Sequence, residues 1–130
     1  MGFIRFRRAV TVLLVALMLL LFWLPQHFLA RAAAEWEDAI DRASDDLRAG
    51  ETERAARECA ALVERFGNQK DTLERFLNHD AVDAVLSDLW QAKTLADAAD
   101  APGALAALAA ARGSAQHLVC IEQFTWNALL

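Results

Sequence analysis

The chain has 130 residues, with 18 Asp and Glu against 13 Lys and Arg and a formal net charge of −5. The charge is unevenly spread: all the acidic side chains and nine of the basic ones lie at or after Glu35, so that part carries −9, while Arg5, Arg7, Arg8 and Arg31 precede it. An acidic surface of this kind repels phosphate backbones and anionic headgroups, which argues against nucleic-acid binding, and the 96 residues from Glu35 onward leave room for one small domain only.

The first predicted element is an apolar run, Ala9 to Leu24, uncharged and interrupted only by Thr11, with Arg5, Arg7 and Arg8 just before it. Arginines on that side hold the N-terminus in the cytoplasm and place the rest of the chain outside. A spanning helix needs about 20 apolar residues, a length this run reaches only if Phe28, Leu29 and Ala30 are counted past Pro25, Gln26 and His27. Two products are open. Trp23 and His27 fit the interfacial flank of an uncleaved single-pass anchor in the cell membrane, the favoured reading. Pro25 followed by Ala30, Ala32, Ala33 and Ala34 fits a signal peptide cleaved after Ala32 or Ala34, which would release a secreted protein. Either way, residues 1–34 form the membrane anchor or signal segment and 35–130 an extracytoplasmic domain.

That domain reads as all-α. Its only proline is Pro102, nothing alternates with the period of a strand, and Ala, Leu, Glu and Arg dominate. Trp36, Ile40, Ala43 and Leu47 predict a helix that Gly50 ends in the left-handed conformation. From Glu51, the stripe Ala55, Cys59, Leu62, Val63, Phe66, Leu73, Phe76 and Leu77 predicts a second helix to about Asn78, with Gly67 and Asn68 a weak point. Asp80 caps a predicted third helix carrying Val82, Val85, Leu86, Leu89, Trp90 and Leu95. Asp100 caps a fourth, with Pro102 in its first turn and Leu105, Leu108, Ala115, Leu118, Val119 and Phe124 along one side.

A shift of 49 residues lays Trp36 on Val85, Ile40 on Leu89, Ala43 on Ala92, Ala55 on Ala104 and Cys59 on Leu108, apolar on apolar. Short junctions at Leu47–Gly50 and Ala98–Ala101 make neighbouring helices antiparallel. The expected domain is therefore an antiparallel four-helix domain made of two helical hairpins. Alternation turns the Asn78 junction and the C-terminus toward the bilayer. The apolar tail, Phe124 to Leu130, is expected to pack on Trp36 and Phe76, the alternative being Trp126 resting among headgroups.

The order Arg65-Phe66, Gln69-Lys70, Leu73, Phe76-Leu77, His79, Val82, Val85, Leu89, behind an N-terminal anchor and Trp36, resembles the bacterial family of domain of unknown function 4363. Its most recognisable element is Phe76-Leu77-Asn78-His79-Asp80 at the join of the middle helices. The resemblance covers nearly the whole chain and implies a small membrane-anchored helical protein without assigned chemistry, so it carries over no active site.

Three constellations bear on chemistry. His79, Asp80 and Asp83 bring an imidazole and carboxylates to one helix start, within reach of a metal. The favoured account is simpler, with Asp80 capping, Asp83 at the positive helix end and His79 on a backbone carbonyl. His117 and Cys120 are one turn apart, and Cys59 would complete a His, Cys, Cys set; both cysteines fall on apolar stripes where leucine would serve, which favours core packing. Lys70 and Lys93 interrupt stripes, and lysine stems ordinarily lie along apolar surface with the ammonium in water. No catalytic, cofactor-binding or metal residue is assigned. Parallel second and fourth helices set Cys59 and Cys120 roughly 15 Å apart along the axis, too far for a disulfide. The expected function is a membrane-tethered, non-enzymatic interaction module that binds another membrane or envelope protein. The alternative is a small-molecule or metal-binding sensor or enzyme built around His79 or His117.

Overall fold

A computed structural model describes residues 2–129, with side chains described except at 122–127 and 129. Its regular elements are helices α1 (Gly2–Arg48), α2 (Thr52–Glu74), α3 (His79–Asp97) and α4 (Ala101–Leu129). The chain divides into two compact units, Met1–Arg31 and Ala32–Leu130.

In the first unit every described residue from Gly2 to Leu24 is exposed, including the whole apolar run. Pro25 stands inside α1 and does not end it. Two helices are long and apolar enough to cross a membrane among the described residues, α1 and the Ala101–Ile121 portion of α4. They differ in surroundings. None of the apolar window of α1 is buried, whereas a third of that in α4 is, with Ala104, Leu108, Ala111 and Leu118 in the core.

The second unit is a four-helix bundle in which each helix meets the next and α4 returns to α1. Trp36 of α1 donates its indole N–H to Gln69 of α2, Lys70 of α2 reaches Asp83 of α3, Ser114 of α4 donates to Asp88 of α3, and Arg112 of α4 bonds Asp41 of α1. The core combines Trp36, Leu62, Phe66, Val82, Val85, Leu108 and Leu118 with a set of fully buried alanines, among them Ala43, Ala55, Ala92, Ala104 and Ala111. Alanine at these contacts lets helix axes approach closely, because a larger side chain would have to be seated against a neighbouring backbone.

The two hairpin turns are copies of each other in hydrogen bonding. At the first, Ala49 N–H bonds Asp45 O, Gly50 N–H bonds Leu47 O and Glu51 N–H bonds Asp46 O; at the second, Ala98 N–H bonds Thr94 O, Ala99 N–H bonds Ala96 O and Asp100 N–H bonds Leu95 O. Each pair is separated by the same 49 residues that relate the apolar stripes. Both turns need a residue in the left-handed region: Gly50 has φ 81° and Ala99 has φ 58°. Glycine adopts this freely, whereas a Cβ there costs about 1 kcal/mol. Ala99→Gly is therefore expected to stabilise the domain by up to about 1 kcal/mol, raising its melting temperature by about 4 °C, and Gly50→Ala to do the reverse.

Four expectations are corrected. α2 ends at Glu74, short of Asn78, and runs unbroken through Gly67; burial of Val63, Phe66 and Leu73 on both sides of the glycine outweighs its propensity cost of about 1 kcal/mol. The cap of α3 is Asn78 rather than Asp80: its side chain accepts the Asp80 N–H at 2.9 Å, with His79 already helical. Phe76 is 57% exposed, because the chain has left the helix and its stripe by then. Trp90 is 51% exposed, since the stripe of α3 is Val82, Val85, Leu89, Ala92 and Ala96, and one residue past Leu89 points about 100° away. The cap on α4 is as expected, Asp100 accepting the Gly103 N–H at 3.0 Å. Packing of the Phe124 to Leu130 tail on Trp36 and Phe76 lies outside the described residues; Trp36 meets Phe66 edge-on, ring centroids 4.9 Å apart.

Candidate functional site

The polar residues singled out in the sequence are built into the bundle in separate places. At the α2–α3 join, the Lys70 ammonium sits 3.1 Å from Asp83 and 3.5 Å from Glu74, one turn further along α2. Glu74 in turn faces His79 Nδ1 at 3.3 Å. The result is a strap of polar contacts across two antiparallel helices, in which Lys70 is held above the ordinary lysine value by its bond to Asp83 and by the charges of Asp83 and Glu74. Lysine kept protonated in this way is a poor nucleophile or base. Lys93 lies over the Trp90 ring, 5.3 Å from its centroid, and reaches Asp97 at 3.4 Å, so its stem covers the exposed indole.

The His, Cys, Cys set does not come together. Cys59 is buried in α2, whereas Cys120 and His117 are exposed on α4, and both thiols are free. Cys59 is a core residue as expected. Cys120 is not: the described α4 stripe runs through Ala104, Leu108, Ala111, Ala115 and Leu118, and Cys120 falls off it. Burial, assisted by the charges of Glu58 and Asp97, pushes the Cys59 thiol up to about 11. It is thus a small hydrophobe rather than a thiolate nucleophile at neutral pH. Among the described residues, no three His, Cys, Asp or Glu side chains are placed to hold a metal ion.

The structure adds groups that sequence reasoning passed over. Asp46 near the end of α1 and Glu58 in α2 lie on either side of the first hairpin turn, with Arg54 reaching Asp46 at 3.7 Å. Burial and then the Asp46 charge raise Glu58 above the usual carboxylate value, against the opposing charges of Arg42 and Arg54. Arg112 to Asp41 at 2.6 Å and Gln116 to Glu37 at 3.2 Å form a polar seam between α4 and α1. None of these pairings has a local signature, because their members are 8 to 79 positions apart and each reads alone as a solvated charge. A shallow cleft at the hairpin-turn end is lined by Thr52, Glu53, Arg57, Ala96 and Asp97. It offers charge of both signs and no imidazole or thiol.

No curated protein and no solved structure matches this chain. The sequence pattern of the family described as Domain of unknown function (DUF4363) matches residues 23–129, taking in the end of the apolar run, the Trp36 helix, the Phe76 to Asp80 join and all of α3. With most of its length covered by that match, the chain belongs to the DUF4363 family.

Proposed function

We propose that this protein is a membrane-tethered, non-enzymatic interaction module of the bacterial cell envelope. Its N-terminus lies in the cytoplasm, and its acidic helical domain lies outside and binds another membrane or envelope protein. The observation that carries the reading is the complete exposure of the apolar run in α1, Ala9 to Leu24, directly after Arg5, Arg7 and Arg8. Water is a poor solvent for so long an apolar helix, lipid is a good one, and arginines mark the cytoplasmic end. Helical structure across residues 30–34, with Ala32 buried, favours the retained anchor, since Ala32 is already committed to the domain core. The interaction role is supported by what the polar side chains do. Asn78 and Asp100 cap the starts of helices, Lys70 and Arg112 join helices, and the outer surface carries a net negative charge suited to a basic partner surface.

The test is a fusion after Leu130. A reporter that fluoresces only in the cytoplasm is expected to stay dark, and one that is active only outside is expected to work, in the membrane fraction. A bright cytoplasmic reporter would reverse the orientation, and recovery of a soluble protein lacking residues 1–34 would replace the anchor by a signal peptide.

A further inference from the structure

The three arginines near the start of α1 have no counter-charge of their own. Every acidic side chain lies at or after Glu35, and among the described residues none of Arg5, Arg7 and Arg8 enters an ion pair. Ile4, Arg7, Arg8, Thr11 and Val12 stand three and four residues apart on this helix, and together they line an open cleft. Arg7 and Arg8 are about 100° apart around the axis, so they flank it. Thr11 donates its hydroxyl to the Arg7 carbonyl at 2.9 Å, which leaves the two guanidiniums as the donors the cleft offers. Val12, Val15 and Leu19 continue the same face into the apolar run, and all three are exposed. A ligand that fits this face carries a phosphate at one end and a hydrocarbon chain at the other. Guanidinium forks match phosphate oxygens, and exposed apolar side chains match an acyl chain.

We propose that this cleft binds the headgroup phosphate of an anionic phospholipid, held between Arg7 and Arg8, with an acyl chain lying along Val12, Val15 and Leu19. Placing that lipid in the cytoplasmic leaflet rests on the orientation proposed above; the binding itself does not. A zwitterionic lipid carries the same phosphate but adds a cation that the guanidiniums repel, so the cleft discriminates by net headgroup charge. Arg5 falls outside the lining and adds only to the general attraction. Each arginine close to an anionic lipid surface gains about fivefold in binding, so the pair sets the expected preference at about tenfold or more.

The test uses the full chain, purified in a neutral detergent, and native mass spectrometry of the lipid it retains from an equimolar mixture of dioleoyl phosphatidylglycerol and dioleoyl phosphatidylcholine. The parent is expected to retain the anionic lipid about tenfold over the zwitterionic one. Arg7→Gln combined with Arg8→Gln is expected to remove that preference, and Arg5→Gln to leave it within about threefold of the parent. All three arginines are exposed, so these variants leave the fold intact. Equal retention of both lipids by the parent would overturn the proposal. So would a loss from Arg5→Gln as large as that from the double variant, because the attraction would then be diffuse and the cleft no site. Glycerol phosphate in excess is expected to leave the lipid in place; its displacement of the lipid would overturn the lipid assignment in favour of a soluble phosphate ester. Detergent has no sides, so a reversed reporter in the fusion experiment would move the lipid to the other leaflet without altering this result, whereas equal retention would strike the cleft and leave the topology standing.

Discussion

Replacing Trp36 with alanine is expected to bring the helical domain to the edge of unfolding. Trp36 is 1% exposed and stands edge-on to Phe66, which is 0% exposed, while its indole N–H donates to Gln69 at 3.0 Å. No second aromatic pair lies within the described part of the domain core, where many of the other buried residues are alanines. An alanine-rich core cannot close over a lost indole, because its neighbours lack the volume to move in. The cavity cost therefore adds to the lost transfer energy, for about 3–5 kcal/mol in all. A domain of this size holds about 5–15 kcal/mol in total, and each kcal/mol lost lowers the melting temperature by about 4–8 °C. A thermal melt of the Trp36→Ala chain should consequently show a fall of about 12 °C or more, or no transition at all. Trp36→Phe keeps most of the packing and loses the bond to Gln69, and should cost about 1 kcal/mol more than its volume change alone. An unchanged melt in Trp36→Ala would mean that the α1–α2 contact is not where the core gains its stability.

Replacing Arg5, Arg7 and Arg8 together by serine is expected to scramble or invert the orientation in the membrane. Orientation follows the difference in Lys and Arg close to the two ends of the span. Three arginines precede the run, and within about 15 residues beyond Leu24 the far side has only Arg31. Removing the three reverses the sign of that bias. A C-terminal cytoplasmic reporter that is dark in the parent should then light up in a large share of molecules. A reporter as dark in the triple variant as in the parent would show that these arginines do not set the topology.

Much of the fold was legible because helical periodicity and turn chemistry are local. Gly50 and Asp100 each announce a helix end with their own side chain or lack of one, and the 49-residue repeat reappears as two turns with matching hydrogen bonds. The position equivalent to Gly50 is Ala99, and an alanine gives no warning of a left-handed backbone. The misplaced residues have two causes. Trp90 and Cys120 are apolar and so read as inward, yet a helix face is set to within about 100° by which neighbours dominate the stripe, while Phe76 lies past the end of α2. In α3 the stripe belongs to Val85, Leu89 and Ala92, which turns Trp90 out under Lys93. Asn78 outcompeted Asp80 as the cap because the helix begins two residues earlier than the acidic residue suggests. The burial of Glu58 Oε2 was invisible because it depends on how tightly two helices close after Gly50. No sequence pattern reports that a carboxyl oxygen is buried.

The central claim is that an intact anchor holds this domain outside the cell membrane, and the two free cysteines provide a direct measurement. Cys120 is exposed and Cys59 is buried, so a membrane-impermeant maleimide applied to intact cells should add one label per chain. Mass spectrometry of the membrane fraction should find that label on Cys120 of a chain retaining its N-terminal segment, at 14.3 kDa plus the label. Labelling of Cys120 only after the cells are lysed would contradict the account.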